Sequence, residues 1–443
     1  MWRSVFLSAP FLWAEIELGN PDVTAAFLER CKTAPLRISA SNETLNSEGF
    51  FADNVTWFDR TNSLHILTDL GWVSSVVEDL CRPAPVLQSL EISARTHFRR
   101  RGGPVCIPPT FLGQQAPLLR NLAFISVSPT PVPNLPLRNL TSFQWTDSTA
   151  VITVGEILTL LTSVPLLEAL ELGVAVRSTT DAEGVQCIIL SKLRSLSWTD
   201  YRPTFNLMSL LILPELKDLT IRAAPSPHIN LSTILPPHND HFPGFAEPTA
   251  LKYMCRIDSR ACHFFYADRY LLIHQFPGLT GHRPADCWLS SSTPISFRRV
   301  KHLTVRGFDG HPPLSDIPIG EFGSLESLEL AGEVVRLLDM LRPTRRVDSE
   351  ALSVPFPSLS ELRLTLCTTY RGLVKVVAEV LKNRKEVGHG VKNLYIMGAE
   401  GGYSSEETSE LAKFVENDTK VHRSGRLHPK DSDVLPRPTS FRI

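Results

Sequence analysis

Apolar side chains recur along this chain in one six-residue phrase, apolar-x-x-Leu-x-apolar, often preceded by Pro. It reads Leu87-Gln-Ser-Leu90-Glu-Ile92, Leu119-Arg-Asn-Leu122-Ala-Phe124, Leu140-Thr-Ser-Phe143-Gln-Trp145, Leu167-Glu-Ala-Leu170-Glu-Leu172 and Leu193-Arg-Ser-Leu196-Ser-Trp198. It continues as Leu216-Lys-Asp-Leu219-Thr-Ile221, Val300-Lys-His-Leu303-Thr-Val305, Leu325-Glu-Ser-Leu328-Glu-Leu330, Leu359-Ser-Glu-Leu362-Arg-Leu364 and Val391-Lys-Asn-Leu394-Tyr-Ile396. The leading positions advance by 32, 21, 27, 26 and 23 residues up to Leu216, and by 25, 34 and 32 after Val300. Two worn copies, Leu251-Lys-Tyr-Met254 and Pro277-Gly-Leu279, divide the 84 residues between.

The last four positions of each phrase alternate, which puts two apolar side chains on one face of a short strand. Between copies lie segments of helical period: Trp72–Cys81, Thr153–Ser163, Val334–Leu341 and Leu373–Arg384. Thr153 and Glu156 stand at capping-box spacing, ahead of the stripe Ile157, Leu158, Leu160 and Leu161. Strand, loop, helix and return is one turn of a leucine-rich-repeat solenoid. No unit buries its apolar face alone, so stacking supplies the core. The expected fold is therefore α/β and horseshoe-like, with parallel strands on one face and helices on the other.

Composition narrows the classes. Hydrophobic residues make up 43% of the 443 and charged ones 21%, the balance of a chain with a sizeable core. The net charge of −1 offers no global attraction to nucleic acid or anionic lipid. No apolar run reaches the roughly 20 residues of a membrane span. Eight scattered cysteines without a Cys-x-x-Cys pair suit reduced thiols in the cytoplasm or nucleus. Against this, residues 1–14 resemble a signal peptide, and sequons stand at Asn42, Asn54, Asn139, Asn230 and Asn417. Pro10 breaks that apolar stretch, and Leu12 occupies a place where cleavage after Ala14 needs a small residue.

The first eighteen residues carry Trp2-Arg3, Pro10, Leu12-Trp13, Ile16 and Leu18. This spacing resembles the C-terminal part of the F-box and its junction in fungal F-box/leucine-rich-repeat proteins. The helix-like Ala25–Arg30 and the strand-like Pro35-Leu36-Arg-Ile38 extend the likeness, and Leu64-His-Ile66 is a further strand-like piece. The later repeats carry the same phrase, so the resemblance covers roughly residues 1–400. It implies the substrate-recognition part of a cullin–RING ubiquitin ligase. The family's Leu-Pro-x-Glu helix, which grips the Skp adaptor, is missing before Trp2. Adaptor binding is therefore expected only if a full F-box exists upstream, and weak or absent for residues 1–443. The implied organisation is an F-box remnant over 1–20 and a solenoid over 21–400 with a Pro/His-rich insertion at about 223–296. A charged, partly disordered tail over 401–443 completes it. Trp2 and Trp13 are expected as core aromatics capping the first repeat.

Catalytic chemistry finds little footing. No Gly-x-Gly-x-x-Gly, phosphate-binding loop, Gly-x-Ser-x-Gly or His-Glu-x-x-His motif occurs. Gly398-Ala-Glu-Gly401-Gly402 lacks a following Lys and reads as the end of the array. Cys255, Cys262, His263, His274, His282 and Cys287 are zinc-competent types, but their spacings match no compact ligand pair. Residues 223–248 and 309–318 read as projecting Pro/Gly/His-rich insertions, and Arg423, Arg426 and Lys430 as part of a solvated tail. No catalytic, cofactor or metal residue is assigned.

The expected function is a non-enzymatic protein-interaction surface on the strand face. The third and fifth positions of each phrase point away from the buried leucines. They supply Glu91, Gln144, Glu171, Asp218, Glu329, Glu361, Arg363 and Tyr395 as candidate partner-binding residues, mostly acidic. Such a face attracts a protein with basic segments and repels phosphate backbones. Arg222 and Arg306, one step past their strands, dilute the acidic row. Two alternatives stand beside this reading: a stand-alone leucine-rich-repeat scaffold unrelated to ubiquitin, and an enzyme housed in 223–296.

Overall fold

A computed structural model describes residues 2–41, 55–95, 107–127, 137–177, 186–200, 207–223, 245, 248, 250–255, 260–265, 270–275, 296–307, 319–332, 334, 338–345, 352–366, 372–397 and 405–422. The chain is an α/β protein whose strands are mostly parallel, and it divides into two compact units, Met1–Leu216 and Lys217–Ile443.

In the first unit the parallel strands run in chain order: β1 (Glu15–Leu18), β2 (Leu36–Ser41), β3 (Thr61–Asp69), β4 (Ser89–Arg95), β5 (Asn121–Ile125), β6 (Ser142–Thr153), β7 (Ala169–Arg177) and β8 (Ser195–Asp200). Their register aligns the fourth positions of the phrase into one column: Ile16, Ile38, Leu64, Leu90, Leu122, Phe143, Leu170 and Leu196. Every one of them is buried. A second buried column, two residues on, holds Leu18, Ala40, Ile66, Ile92, Phe124, Trp145, Leu172 and Trp198. A slip of one residue would turn both columns to water, so this alternation fixes the register.

One turn precedes most strands and locks the spacing. The amide of the leading residue donates to the carbonyl three residues back, as Leu87 does to Ala84 (3.2 Å), Leu119 to Ala116 (3.1 Å) and Leu140 to Leu137 (2.9 Å). The second residue of each phrase then offers its carbonyl to two amides of the next copy. Gln88 accepts from Arg120 and Asn121, Arg120 from Thr141 and Ser142, and Thr141 from Glu168 and Ala169. Pro often follows the turn's first residue, as in Ala116-Pro117 and Val164-Pro165, where its fixed φ favours the turn. The turn's first residue is itself buried (Ala84, Ala116, Leu137, Val164, Leu190, Leu213), a third column outside the six-residue phrase.

The second unit repeats these devices. Its strands are β9 (Asp218–Ala223), β10 (Ala250–Cys255), β11 (Arg260–Phe265), β12 (Tyr270–Gln275), β13 (His302–Gly307), β14 (Ser327–Gly332), β15 (Glu361–Leu366), β16 (Asn393–Met397) and β17 (Asp418–His422). From β13 to β17 the ladder is parallel and in order. Its turn column is aromatic: Phe297 stacks on Phe322 at 5.1 Å, and Phe322 meets Phe356 edge-on at 6.0 Å.

Three features depart from the sequence-based expectation. Ala250–Cys255, Arg260–Phe265 and Tyr270–Gln275 form three strands within the sheet, not only a projection from it. β12 pairs parallel to β9, β11 is antiparallel to β12 and β10, and β10 pairs parallel to β13. Leu251 registers with Leu303, so this worn copy stands at the fourth position and not at the leading one. The other worn copy, at Pro277–Leu279, lies outside the described residues, as do most of 223–248 and all of 309–318. Secondly, the array runs past residue 400. A helix, Ser405–Ala412, leads into β17, which pairs with β16 from Asn393↔Asp418 to Met397↔His422. The phrase missed this strand because Thr419 stands where the other copies put Leu or Phe. Arg423, Arg426 and Lys430 lie outside the described residues.

Thirdly, Trp2 is not a core residue. The helix Trp2–Ser8 leaves Trp2 78% exposed, with Val5 and Phe6 also in the open. Trp13 is half-buried, edge-on to Phe27 at 5.1 Å and under the Arg30 guanidinium at 4.6 Å. The difference follows from position: Trp13 adjoins β1 and the helix Pro21–Cys31, and it donates from Nε1 to the Phe6 carbonyl (3.0 Å).

The helices match the periodic segments closely where they are described. Val73–Asp79 buries Val73, Val76 and Val77. Val154–Ser163 starts on the expected capping box, Thr153 with Glu156. Leu373–Glu386 buries Leu373, Val374, Val377, Val380 and Leu381. The segment expected from Val334 includes a short 3-10 turn at Asp339–Leu341, and residues 335–337 lie outside the described residues.

Candidate protein-binding surface

Between the buried columns, the third and fifth positions form two polar rows on the other face of each unit's ladder. In the first unit the fifth-position row runs Glu17, Ser39, His65, Glu91, Ala123, Gln144, Glu171 and Ser197, joined strand to strand in register. None of these side chains is buried. The row gathers Glu91, Gln144 and Glu171, as the alternation requires. It also adds Glu17 and His65, which lie on β1 and β3 before the regular array. Their signals, Ile16-Glu-Leu18 and Leu64-His-Ile66, are the same alternation without the leading residue.

Glu91 is already engaged. His65 Nε2 lies 3.1 Å from its Oε1, and Ser93 Oγ donates to the same oxygen at 3.0 Å. The hydrogen bond to Glu91 raises the His65 pKa above its ordinary 6.5, against the opposing effect of partial burial. The same bond holds the Glu91 carboxyl below its ordinary 4.5. Glu91 is thus an ion-paired acid while His65 is protonated, and a hydrogen-bonded but uncompensated one above that range.

In the second unit, Glu329, Arg363 and Tyr395 follow one another on the fifth-position row, and Lys420 of β17 extends it. The Arg363 guanidinium lies 5.3 Å from the Tyr395 ring and Lys420 Nζ 5.9 Å from it, within cation–π range. On the third-position row stand Asp218 and Glu361. Glu361 Oε1 accepts from Arg363 Nε at 2.7 Å and from Ser327 Oγ at 3.1 Å. Burial raises the Asp218 carboxyl above the usual carboxylate range, with Lys217 opposing. The acidic row expected here is therefore mixed: one glutamate is matched by its neighbouring arginine, and the far end carries a lysine.

Behind β15, Arg384 is fully buried, with no carboxylate partner among the described residues. Its Nη1 donates to the Pro355 carbonyl at 2.6 Å and approaches that of Leu341 at 3.5 Å, and Nη2 donates to Phe356 at 2.9 Å. Burial lowers its pKa to about 10, so it stays charged at neutral pH. It ties the helix Leu373–Glu386 to the turn that launches β15, a structural role.

Among the described residues, no group of three or more His, Cys, Asp or Glu could hold a metal ion. Of the zinc-competent residues, Cys255, Cys262, His263 and His274 lie on β10 to β12, while His282 and Cys287 lie outside the described residues, as do Gly398, Gly401 and Gly402. Among the described residues, no helix is long and apolar enough to cross a membrane. No protein-family model matches the chain, and no curated protein does either.

Proposed function

We propose that this chain is a leucine-rich-repeat solenoid acting as a non-enzymatic protein-interaction module, similar to the substrate-recognition part of an F-box protein. The observation that carries this reading is the in-register ladder. From β4 to β8 each copy contributes one strand, one preceding turn and two buried apolar positions, and each of these strands presents its third and fifth side chains away from the buried columns. Such a ladder makes a broad, evenly spaced display of polar side chains on a rigid backbone, which suits recognition of an extended surface. The residues assigned to it are Glu91, Gln144, Glu171, Asp218, Glu329, Glu361, Arg363 and Tyr395, and the partner class is a protein with basic segments. Scattered cysteines support a cytoplasmic or nuclear setting. Recruitment to a cullin–RING ligase belongs to the same proposal through the Trp2–Leu18 resemblance.

The test is charge reversal. Partners captured by the wild-type chain are identified by cross-linking, and capture is repeated with the double variant Glu171→Lys, Glu329→Lys. Capture is expected to fall about tenfold or more, with loss growing at low salt, and the melting temperature of the variant checks that the fold persists. Undiminished capture would move the binding surface off the strand face.

A further inference from the structure

Three adjoining elements at the start of the first unit leave apolar side chains in water. On the helix Trp2–Ser8, Trp2, Val5 and Phe6 stand at i, i+3 and i+4, so they share one stripe, and all three are exposed. The 3-10 turn Pro10–Trp13 adds Phe11 and Leu12, and the helix Pro21–Cys31 adds Val23. Trp2 and Phe11 are each 78% exposed, and Phe6 is 54% exposed. We propose that this apolar face pairs with the same face of a second copy of the chain, forming a closed two-fold dimer. The proposal is independent of the strand face and of what binds there.

The face is held in place before any partner arrives. Trp13 Nε1 donates to the Phe6 carbonyl at 3.0 Å, and the Ala9 N–H donates to the same oxygen at 3.3 Å. Ser8 Oγ donates to the Val5 carbonyl at 3.0 Å. The Trp13 ring in turn packs edge-on against Phe27 of the helix Pro21–Cys31. The exposed stripe is therefore tied to the body of the unit through Trp13. A preorganised face loses less freedom on association, which favours binding.

The area matches what a stable dimer needs. Aromatic side chains bury roughly 150–250 Å² each, so at these exposures the three leave roughly 300–500 Å² in water. Val5, Leu12 and Val23, each about half exposed, add roughly 100–200 Å² on the usual transfer scale. The resulting patch, roughly 400–700 Å², reaches or exceeds the largest that a typical monomer leaves open. Two copies that cover it fully bury roughly 800–1,400 Å² of apolar surface. Homodimer interfaces are about 65% apolar, so the whole contact comes to roughly 1,200–2,100 Å², the size of a specific, stable interface.

The charges beside the patch suit a copy of itself. Asp22 and Glu29 on the helix Pro21–Cys31 are exposed, and so are Arg30 and Lys32 at its end. Two acids and two bases let the acid of one copy meet the base of the other, as a two-fold contact requires. A bilayer surface is a poorer match, because interfacial helices carry a Lys/Arg-rich polar face and this balanced set does not.

Sedimentation velocity on residues 1–443, from about 1 to 100 µM, tests the proposal over the range expected for an interface of this size. The mass is expected to rise from one chain to two and to stop there, with a dissociation constant on the order of micromolar. The double variant Trp2→Glu, Phe11→Glu should raise that constant about thirtyfold or more, with its melting temperature checking the fold. Ile189→Glu, at an apolar residue 64% exposed between β7 and β8, should leave the dimer intact. A single chain at every concentration overturns the proposal, as does a mass that grows past two chains or a dimer that the double variant leaves intact. A monomer that binds the Skp adaptor, or phosphatidylcholine–phosphatidylserine vesicles, through Trp2 and Phe11 also overturns it and assigns the face to that occupant.

Discussion

Arg384 and the His65–Glu91 pair show how much a single side chain can control here. Arg384 is a buried cation held, among the described residues, by carbonyl oxygens. Arg384→Ala would strand the carbonyls of Pro355 and Phe356 and open a cavity between helix and turn. Destabilisation of about 3 kcal/mol is expected, read as a shift in the denaturant midpoint. A loss under about 0.5 kcal/mol would mean that water replaces the guanidinium without cost. The His65–Glu91 pair makes stability and surface charge depend on pH. The histidine's share is fully present below its unfolded pKa of 6.5 and is lost as pH rises through its raised folded value. The glutamate's share is present above 4.5 and is lost as pH falls through its lowered folded value. The pair therefore contributes most between those two ordinary values and fades on either side. Both side chains are well exposed, at 46% and 36%, so the contribution is a few tenths of a kcal/mol. Titration of the His65 ring by NMR should give a pKa above the ordinary value that drops in Glu91→Gln. An unmoved value in that variant would mean that Glu91 is not the cause. The same titration bears on recognition, since a protonated His65 competes with any partner cation for Glu91.

At the scale of the element, two local devices stand out. The helix Val154–Ser163 opens on a reciprocal cap. Glu156 N–H donates to Thr153 Oγ1 at 3.3 Å, and Thr153 N–H donates to Glu156 Oε2 at 2.9 Å. Thr153→Ala removes one of these bonds and should cost about 1 kcal/mol, measured by thermal or denaturant unfolding. A cost near zero would assign the helix's start to packing alone. The turn at Leu112–Gln114 has three successive residues at positive φ. A Cβ on Gly113 would meet the backbone nitrogen of Pro83 at 2.7 Å, so only glycine fits there. Neither that turn nor the antiparallel pairing of β11 with β10 and β12 is legible in the sequence. A hairpin and a parallel copy share the same period of two, so periodicity cannot tell the direction of a strand.

For the whole molecule, the sequence itself determined which residues face inward. The alternation of Leu-x-Leu is a local property, because hydrophobic burial acts on every copy alike and needs no knowledge of its neighbour. The same alternation placed the candidate partner-binding residues on the outer rows, and the capping box placed a helix start. What only the tertiary structure decided is which of those outer residues meet. The connections between copies vary in length, so a residue's neighbour across the sheet lies 21 positions away in one pair of strands and 34 in another, with no sequence mark to say so. His65 beside Glu91, Arg363 against Tyr395 and Lys420 beyond them are products of register, which inter-strand hydrogen bonds and turns set. Trp2 shows the same limit from the other side: an apolar residue in an apolar segment stayed exposed because burial needs a packed neighbour as well as hydrophobicity. β17 adds the complementary case. It lacks the leucine of the phrase, yet it completes the ladder because the open edge of β16 supplies backbone partners that a six-residue pattern cannot represent.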